Sequence, residues 1–544
     1  MTFRKFYLFL IVALTAVTVP AGTWTPVTRS APTVINLMLL LSDGTVMAAQ
    51  GSGNAWYRLT PDVHGSYVNG TWSTLASMHD YRFYYSSTVL TNGTVLVAGG
   101  EFGTGASTSE LYDPVANIWS PVPVPTNLLT TNGFQDAISK ILPDGNVLLA
   151  PVYPATNGDT ALYLVASNSW TVGPKLFRGT DQSECSWVKL PDDSILTVDN
   201  IGLTNSERYI PSQKKWVNDG NLPAQIYSPI DGEFGGALLL PDGRALFLGG
   251  NGNNALYTPS GTAAPGTWAA AAVTPNGYGI QDGPAAMMIN GKVLCQFGSA
   301  TNFVGPSYFY EYDPVQNSFT ATGAPNGASD AVATYESVML DLPDGSVLYS
   351  HYARDLYVYR PDGSQLASGK PTISNIVANA DGSFTLAGTQ LNGISEGATY
   401  GDDEQMNSNF PLVRLTDAAG NIYYERTYNW SSTGVMTGNK IVTTRFTNSA
   451  ALPSGIYSLN VVANGISSDP WSFILPPRIT PLLSGNSLIV TWPTNVPGFL
   501  LESATNLNSP TAWSTNPILP SVLNGQNVVT NPLTAPQMFF RLIQ

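Results

Sequence analysis

Apolar runs of four to six residues recur along the first two thirds of the chain, separated in pairs by a short polar turn. In 237–250, ALLLPDGRALFLGG, two apolar runs flank Asp242-Gly243, and 87–100, STVLTNGTVLVAGG, repeats this arrangement around Asn92-Gly93. Similar dipeptides recur 48 to 54 residues apart, at Asp43-Gly44, Asn92-Gly93, Asp144-Gly145, Asp192-Asp193, Asp242-Gly243, Asn290-Gly291 and Asp344-Gly345. Asn-Gly and Asp-Gly are typical of two-residue hairpin turns in which both central residues take positive φ, so each dipeptide predicts a β-hairpin.

Two aromatic columns keep the same period. A tyrosine follows the second apolar run of each unit, at Tyr57, Tyr112, Tyr163, Tyr209, Tyr257, Tyr312 and Tyr359. A later aromatic residue stands at Trp24, Trp72, Trp119, Trp170, Trp216, Trp268 and Phe319. One unit therefore contains two apolar strands, a tyrosine strand and a tryptophan strand. Four strands in about fifty residues match the size of a kelch-type propeller blade.

The phase of the repeat predicts how the ring closes. The seventh unit has Asp344-Gly345 and Tyr359 but no tryptophan, whereas Trp24 precedes the first turn and has no unit of its own. We expect the strand around Trp24 to complete the last blade, because this pairing protects strand edges that would otherwise be exposed. The sequence predicts an all-β fold with a seven-bladed kelch β-propeller over residues 22–369.

Two further β units follow the propeller. Residues 370–475 contain about seven alternating segments, among them SFTLAG, PLVRLTD and YSLNVVA, which predict an immunoglobulin-like β-sandwich. Residues 476–544, with SLIVTW and MFFRLIQ, predict a small C-terminal β-sandwich module of fibronectin-like size. A unit this short is marginal for independent stability.

The first 21 residues predict export. Arg4 and Lys5 precede an apolar stretch from Phe6 to Val19, and Pro20-Ala21 supplies a cleavage site of small residues, as in a signal peptide over 1–21. A retained N-terminal anchor is the alternative. Since no later segment has 18 uninterrupted apolar residues, we expect a secreted or cell-surface monomer with no transmembrane span after cleavage.

Charge and composition narrow the function. The chain has 23 basic and 37 acidic side chains, and this acidic excess argues against nucleic acid as a partner. Two cysteines and three histidines exclude a disulfide-rich scaffold and a cysteine-based zinc domain. Cys185 and Cys295 fall in blades that are not neighbours, so we expect buried free thiols rather than a disulfide.

Two segments carry a family resemblance. AGGEFG…ELYDPVANIW (98–119) and GISEGATYGDDEQMNSNFPLVRLTD (393–417), together with the order of propeller and sandwich, resemble the galactose oxidase and glyoxal oxidase group and its early-set domain. The resemblance covers roughly 22–475, and the final segment, with LESATNL (501–507), is similar to C-terminal modules of secreted bacterial proteins. It implies a copper-radical oxidase whose site uses a tyrosine cross-linked to a cysteine, a second tyrosine and two histidines.

This chain departs from that copper site. By blade order the Tyr-His pair of the family falls on Tyr335-Glu336, its cysteine on Tyr84 and the cross-linked tyrosine on Asp136. No histidine follows His351 to supply the second imidazole. Of the five positions only Tyr335 is retained, so we expect no copper and no catalytic residue. His64, His79 and His351 are expected at the surface or at strand ends.

The same columns place acidic residues at the opposite rim from the turns. Five carboxylates stand about eight residues before the turns of their repeats. At about 3.3 Å per residue they lie roughly 25 Å from the turns, and we expect them to converge near the central axis. Gln135, Gln281, Tyr84 and Tyr335 add polar groups and rings, with Phe234 as a further stacking surface. The predicted ligand-binding set is Tyr84, Gln135, Asp136, Glu184, Glu233, Gln281, Asp282, Tyr335 and Glu336.

Four roles for the acidic ring stay open. It suits a hard cation such as Ca²⁺, which prefers oxygen ligands. It also suits sugar hydroxyls with the rings as stacking surfaces, or general acid–base chemistry on a glycan. The fourth role is structural, with hydrogen bonds around a water-filled channel. The run GDDEQ (401–405) is expected to be a solvated loop, with a cation site at Asp402 and Asp403 as the alternative.

These observations predict an exported, non-catalytic recognition protein. It is expected to bind a carbohydrate or an extracellular protein at the central face of the propeller. No cofactor is predicted, and Ca²⁺ stays open as a bound cation. The alternatives are a divergent oxidoreductase of the galactose oxidase type and a carboxylate-based enzyme acting on glycans.

Overall fold

The computed structural model describes residues 22–128, 133–135, 137–152, 154–180, 182–199, 204–230, 232–401, 405–447, 452–507 and 513–544. The predicted signal peptide (1–21), Asp136, Asp402 and Asp403 lie outside the described residues. The fold is all-β, as predicted: a β-propeller followed by two small sandwich units. Over the ranges given above, no helix is long and apolar enough to cross a membrane.

In the described chain, each of the first six sequence repeats contributes four antiparallel strands to one sheet and the seventh contributes three. Sheet 7 takes its outermost strand from the N-terminus, β1 (Thr23–Pro26). Sheet 1 contains β2 (Ile35–Leu40), β3 (Val46–Gln50), β4 (Trp56–Thr60) and β5 (Thr71–Thr74). Beside sheet 2, β6 (Arg82–Phe83) pairs with β9 (Phe102–Gly103); the sheet itself contains β7 (Ser86–Val89), β8 (Val95–Ala98), β10 (Ser109–Asp113) and β11 (Ile118–Val122).

The remaining repeats follow the same order. Sheet 3 contains β12 (Ile138–Ile141), β13 (Val147–Ala150), β14 (Ala161–Leu164) and β15 (Ser169–Val172). Sheet 4 contains β16 (Trp187–Lys189), β17 (Ile195–Val198), β18 (Asn205–Ile210) and β19 (Lys215–Asn221). Sheet 5 contains β20 (Ala237–Leu239), β21 (Ala245–Phe247), β22 (Ala255–Thr258) and β23 (Thr267–Ala270). Sheet 6 contains β24 (Ala285–Met287), β25 (Val293–Phe297), β26 (Tyr308–Asp313) and β27 (Ser318–Ala321). Sheet 7 adds β28 (Val338–Asp341), β29 (Val347–Ser350) and β30 (Tyr357–Arg360) to β1.

The middle unit is built on two sheets. One contains β31 (Thr372–Ala378), β32 (Phe384–Thr389), β37 (Thr427–Tyr428) and β38 (Val442–Phe446). The other contains β35 (Leu412–Thr416), β36 (Ile422–Glu425), β39 (Gly455–Ala463), β40 (Ile466–Ser467) and β41 (Trp471–Leu475). Two strands of this region, β33 (Gly397–Thr399) and β34 (Gln405–Asn407), instead extend sheet 6 of the propeller.

The C-terminal unit also has two sheets. The larger contains β42 (Thr480–Ser484), β43 (Ser487–Pro493), β46 (Ser521–Leu523) and β47 (Gln526–Pro532), and the smaller contains β44 (Leu500–Ala504), β45 (Ser514–Thr515) and β48 (Phe539–Ile543). The 3₁₀ turns of the described residues are Thr126–Leu128, Pro211–Gln213, Pro275–Gly277, Thr334–Glu336 and Ala367–Gly369.

The repeated turns are real, but their type differs from the prediction. In the first, Gly44 N–H donates to Leu41 C=O at 3.0 Å and Leu41 N–H to Thr45 C=O at 2.8 Å. Only the last residue of each turn is left-handed, with φ between 65° and 86° at Gly44, Gly93, Gly145, Asp193, Gly243, Gly291 and Gly345. This is a type I turn closed by a left-handed bulge residue. The aspartate does not need positive φ, because its side chain accepts a backbone N–H two residues on, as Asp43 does from Thr45.

In sheets 2 to 7 the aromatic columns mark pairs of rings across the two outer strands, whereas in sheet 1 Tyr57 lies opposite Thr74 and Trp72 lies opposite Leu59. Tyr112 faces Trp119 with ring centroids 5.0 Å apart, and the same pairing recurs through the later sheets. In sheet 7 the partner of Tyr359 is Trp24, at 4.8 Å. The N-terminal strand therefore closes the ring with the last repeat, and this prediction is confirmed.

The hairpin of β33 and β34 occupies the middle of the propeller. β33 pairs with β24, and the hairpin also contacts β2, β7, β20 and β28, the first strands of four other sheets. First strands of neighbouring sheets also lie against one another, as β12 does against β16. The sequence predicted separate units, and the structure instead inserts a segment of the middle unit among the inner strands.

Candidate functional site

Three carboxylates from three successive sheets converge in the structure. The first strands of sheets 4, 5 and 6 are preceded by Glu184, Glu233 and Asp282, respectively. One carboxylate oxygen of each residue lies within 4.8 Å of those of the other two. All three are partly accessible. Within the described residues this is the one group of three or more His, Cys, Asp or Glu side chains with metal-binding spacing. We call it the carboxylate group.

The backbone is left-handed at one repeat position around this rim. Tyr84 has φ 49°, Glu184 has φ 57° and Asp282 has φ 41°, and none is a glycine. Such a conformation costs on the order of 1 kcal/mol per residue and persists where surrounding structure enforces it. Of the six described positions of this column, these three share the conformation, so the left-handed loop shape belongs to repeats 2, 4 and 6.

The end of the central hairpin lies beside the carboxylate group. The Ser186 hydroxyl oxygen lies 2.8 Å from the Gly401 carbonyl oxygen and 2.9 Å from the Gly235 carbonyl oxygen, and its one proton serves these two acceptors. A Cβ atom at position 401 would overlap the carboxylate of Asp282. Glycine at this position therefore lets the hairpin backbone approach the acidic side chains.

Aromatic rings lie on the other side of the hairpin. Tyr84 packs on Phe83 at 4.0 Å and stacks on Tyr400 at 6.1 Å with an interplanar angle of 20°. Phe102, which is 51% exposed, and Tyr352 complete the cluster around Phe83. We call these five residues the aromatic group, and Tyr400 connects it through Gly401 to the carboxylate group.

Tyr335 joins the aromatic side through its backbone. Its carbonyl oxygen accepts a hydrogen bond from the Tyr400 hydroxyl at 2.9 Å, and Phe303 packs edge-on against its ring at 5.6 Å. Burial, followed by the charge of Glu336, raises the pKa of the Tyr335 phenol. The phenol is therefore a hydrogen-bonding group in its neutral form at physiological pH.

Other predicted residues have different surroundings. Gln135 Nε2 donates to Glu101 C=O at 2.9 Å, and burial raises the pKa of the Glu101 carboxyl. Gln281 is buried, and its Nε2 donates to the Ser228 hydroxyl at 2.8 Å. Each glutamine hydrogen-bonds to a neighbouring rim loop, and its role in ligand binding stays a prediction.

Two expectations about this rim differ from the structure: the convergence of Glu336 with the other carboxylates and the accessibility of Phe234. Glu336 does not belong to the carboxylate group; it ends the 3₁₀ turn Thr334–Glu336, and its Oε2 accepts the Ala333 N–H at 3.0 Å, which directs it back onto its own turn. Phe234 is fully buried in the core and offers no stacking surface. Asp136, the fifth predicted carboxylate, lies outside the described residues.

The side chains of this rim do not fit the copper that the family resemblance implies. The carboxylate group offers only oxygen, whereas Cu(II) in that setting is held by imidazoles. His351 Nδ1 lies 2.9 Å from Asp330 Oδ2, His79 Nδ1 lies 2.7 Å from Glu110 Oε2, and His64 is exposed. Cys185 and Cys295 are buried and form no disulfide within the described residues, and Cys185 Sγ contacts the Ser183 carbonyl oxygen.

Tyr400 is the site residue that the sequence columns missed. It belongs to the middle unit and follows none of the propeller periods. The available signal was its position directly before the run GDDEQ, which was expected to be a solvated loop. The first and last residues of that run are described: Gln405 begins β34 and pairs with Thr399, and Gly401 follows β33 by two residues.

Comparison with known proteins addresses the fold. No family model matches the chain, and no curated protein matches it. The solved structures it resembles include a fungal alcohol oxidase of the AA5 family in complex with copper, with 15% sequence identity, a TM-score of 0.50 and coverage of 84% of this chain and 99% of that one. The likeness is one of fold. A protein named YjhT matches 55% of this chain and 100% of its own at 13% identity, and its TM-score of 0.36 carries no argument.

Proposed function

We propose that this chain is an exported recognition protein that binds a carbohydrate at the central face of its propeller. A hard divalent cation, Ca²⁺, is held there by Glu184, Glu233 and Asp282. The observation that carries the proposal is the convergence of these three carboxylates, within 4.8 Å, from three separate sheets beside a partly exposed aromatic group. Export rests on the signal-peptide pattern of residues 1–21.

The donor set favours Ca²⁺ over other metals. Ca²⁺ accepts six to eight oxygen ligands in flexible geometry, and three carboxylates bound in mono- or bidentate fashion supply three to six of them. Mg²⁺ requires a stricter octahedron, and softer metals prefer nitrogen or sulfur. Sugar hydroxyls or water complete the shell of a cation held at an open rim.

The aromatic group supplies the second half of the proposed site. Ligand sites combine ring surfaces with a few placed polar groups that fix orientation. The apolar face of a sugar ring packs on Phe83, Tyr84 or Phe102, while its hydroxyls face the cation and the carboxylates. A protein ligand is the alternative occupant, and it would engage the same rim without a requirement for sugar hydroxyls.

The first prediction concerns the cation. Ca²⁺ is expected to raise the melting temperature of the full chain, and EDTA to reverse this, because a ligand that binds only the folded state adds about 2.7 kcal/mol at about 100 times its Kd. Glu233→Gln and Asp282→Asn are expected to remove the Ca²⁺ response. Differential scanning fluorimetry and isothermal titration calorimetry with Ca²⁺ alone measure it.

Glu336→Gln is the matched control, because it removes a carboxylate of the same rim that bonds to its own turn. It is expected to keep the full Ca²⁺ response. Equal loss in all three variants would point to general surface charge, and no response to Ca²⁺ in the parent chain would reject the cation site.

Ligand screening separates the functions. Glycan-array binding that needs Ca²⁺ and is lost in Tyr84→Ala supports carbohydrate recognition. Stoichiometric copper with peroxide release from alcohols would establish the oxidase alternative instead. Shortened glycan products would establish the carboxylate-based enzyme.

A further inference from the structure

The aromatic group has a carboxylate beside it. Glu336 follows Tyr335 in the chain, and the Tyr335 carbonyl oxygen accepts the hydroxyl of Tyr400, a member of the aromatic group, at 2.9 Å. Burial, followed by Tyr81 and Glu336, raises the pKa of the Tyr352 phenol, which belongs to the same group. Glu336 therefore lies within electrostatic reach of the aromatic rings, although it is not part of the carboxylate group.

One oxygen of the Glu336 carboxylate is accessible to a ligand donor. Its Oε2 accepts the Ala333 N–H at 3.0 Å, which fixes the position of the side chain, and its Oε1 accepts no hydrogen bond from the described residues. The residue is only partly buried. Since each carboxylate oxygen can accept up to about two hydrogen bonds, an N–H donor on a bound molecule can pair with Oε1.

A second carboxylate adjoins the rings through Phe102. Glu101 precedes Phe102 in the chain, and its N–H donates to the Tyr84 carbonyl oxygen at 2.9 Å. Burial raises the pKa of the Glu101 carboxyl. A positive charge nearby favours the ionised form of a carboxyl, so a cationic ligand would restore the charge that burial disfavours here.

The arginines near the aromatic group make other contacts. Arg82, next to Phe83, is fully buried, and its guanidinium lies 3.1 Å from the Glu110 carboxylate. Arg354 follows Tyr352 by two residues, and its Nε donates to a backbone carbonyl oxygen at 2.9 Å. The two carboxylates therefore give the surroundings of the rings a negative charge.

We propose that the carbohydrate bound at the central face is an amino sugar, whose protonated amine packs on Tyr352 and donates to Glu336. This inference rests on the proposed function. Ammonium groups are attracted to aromatic faces within about 6 Å, and a hydrogen bond to a carboxylate adds to that attraction. The ring centroids of Phe83 and Tyr352 are 5.8 Å apart. A sugar ring stacked on Phe83 can therefore direct its amine substituent toward Tyr352 and Glu336.

The same charges set an order of preference among sugars. An N-acetylated or hydroxylated sugar keeps the stacking contact but brings no charge to Glu336. An acidic sugar places a second negative charge beside Glu336 and Glu101, and like charges brought together reduce affinity. The expected order of affinity is amino sugar, then neutral sugar, then acidic sugar.

The test is isothermal titration calorimetry of the full-length mature chain in Ca²⁺ with sugars that differ at one substituent. The probes are oligosaccharides of glucosamine, N-acetylglucosamine, glucose and glucuronic acid, and the matching galactose series. One amino-sugar oligosaccharide is expected to bind about tenfold tighter than its N-acetylated and hydroxylated counterparts. This preference is expected to shrink between about 50 mM and about 500 mM salt, because screening weakens charge attraction. It is also expected to disappear as pH rises through the pKa of the amine.

Two substitutions locate the amine. Glu336→Gln is expected to lower the affinity for the amino sugar to that for its N-acetylated counterpart, while the Ca²⁺ response of the melting temperature stays. Tyr352→Leu is expected to weaken amine binding and Tyr352→Phe to keep it, because the phenylalanine retains the ring. Asp313→Asn is the matched control, since this carboxylate also accepts N–H groups of its own turn, between β26 and β27. It is expected to leave the preference unchanged.

The outcomes separate this inference from the proposed function. Equal affinity for amino and neutral sugars overturns the inference and leaves carbohydrate recognition in place. A preference that persists in Glu336→Gln, with an unchanged melting temperature, also overturns it. If none of the sugars binds, both the inference and carbohydrate recognition fail. Binding of a tetralysine peptide in that case, with loss in Glu336→Gln, would assign the site to a basic protein instead.

Discussion

At the scale of single residues, Asp341 has a buried carboxyl group with few hydrogen bonds. It lies on β28 against the central hairpin, where its Oδ2 accepts the Ser408 hydroxyl at 3.4 Å and its Oδ1 has no hydrogen-bond partner among the described residues. Burial raises the pKa of Asp341 to about 8, and the Ser408 hydrogen bond offsets only part of this. The carboxyl is therefore largely protonated at neutral pH.

Asp341→Asn is expected to remove a pH dependence of stability. A pKa raised in the folded state means that stability is fully present below the unfolded pKa, near 4, and is lost as pH rises through about 8. The parent chain loses about 1.4 kcal/mol per pH unit across this window relative to the uncharged variant. Melting temperatures at pH 5, 6.5 and 8 are expected to diverge in favour of the variant. Asp469→Asn, at a carboxylate whose side chain is 84% exposed, is the control; parallel curves for the parent and Asp341→Asn would contradict the assignment.

At the scale of elements, local chemistry explains what the sequence could predict. The period of Asp-Gly turns and aromatic pairs could be read from the sequence because the residues involved are close together along the chain. Tyr112 and Trp119, for example, belong to adjacent strands. The same columns brought Glu184, Glu233 and Asp282 together because repeats place equivalent residues at equivalent points. The prediction that Glu336 joins these carboxylates was wrong for a local reason as well. Glu336 ends a 3₁₀ turn, which the aligned repeat positions did not indicate.

The position of the central hairpin could not be predicted, because its contacts with the propeller are non-local. Tyr400 reaches Tyr84 and Tyr335 from another unit of the chain, and no periodicity links these positions. Its anchor is a buried charge cluster. Glu396, just before β33, lies 2.8 Å from Lys140 on β12 and 4.0 Å from Lys189 on β16. Burial by itself would raise the pKa of the Glu396 carboxyl. The positive charges of the two lysines outweigh this effect and hold the pKa below its usual value.

Glu396→Gln is expected to destabilise the attachment of the hairpin. The substitution leaves Lys140 without its ion-pair partner and Lys189 with only the charge of Asp193, and breaking a buried ion pair from one side costs about 3–5 kcal/mol. Calorimetric unfolding is expected to show a clearly lower melting temperature. In the double variant Lys140→Gln/Glu396→Gln part of this loss is expected to return, because one orphaned charge is removed with its partner. Strict additivity of the two single effects would show that the cluster does not act as a unit.

At the scale of the whole molecule, the propeller is closed by one short strand from far along the chain. β1 pairs with β30 across the register Trp24 to Tyr359. The Trp24 ring also packs edge-on against Phe309 at 5.0 Å and Tyr349 at 5.5 Å, and its indole N–H donates to Gly323 C=O at 2.6 Å. Closure of the ring therefore combines the pairing of the four residues of β1 with β30 and the contacts of the Trp24 side chain.

Trp24→Ala is expected to destabilise the propeller more than Trp72→Ala does. Trp72 holds the equivalent position in β5, with similar exposure, and its indole donates to Arg29 C=O at 3.0 Å. Each substitution removes a half-buried indole, at a cost of on the order of 2–3 kcal/mol by the scale of large-to-small substitutions. Only Trp24 also joins the two ends of the ring, where a weakened β1 leaves the edge of β30 open. The difference in stability between the two variants is measured by thermal unfolding. Limited proteolysis, followed by identification of cuts near β1, reports whether this strand has detached. Equal losses of melting temperature and equal protease resistance would mean that closure depends on the backbone ladder of β1 rather than on this ring.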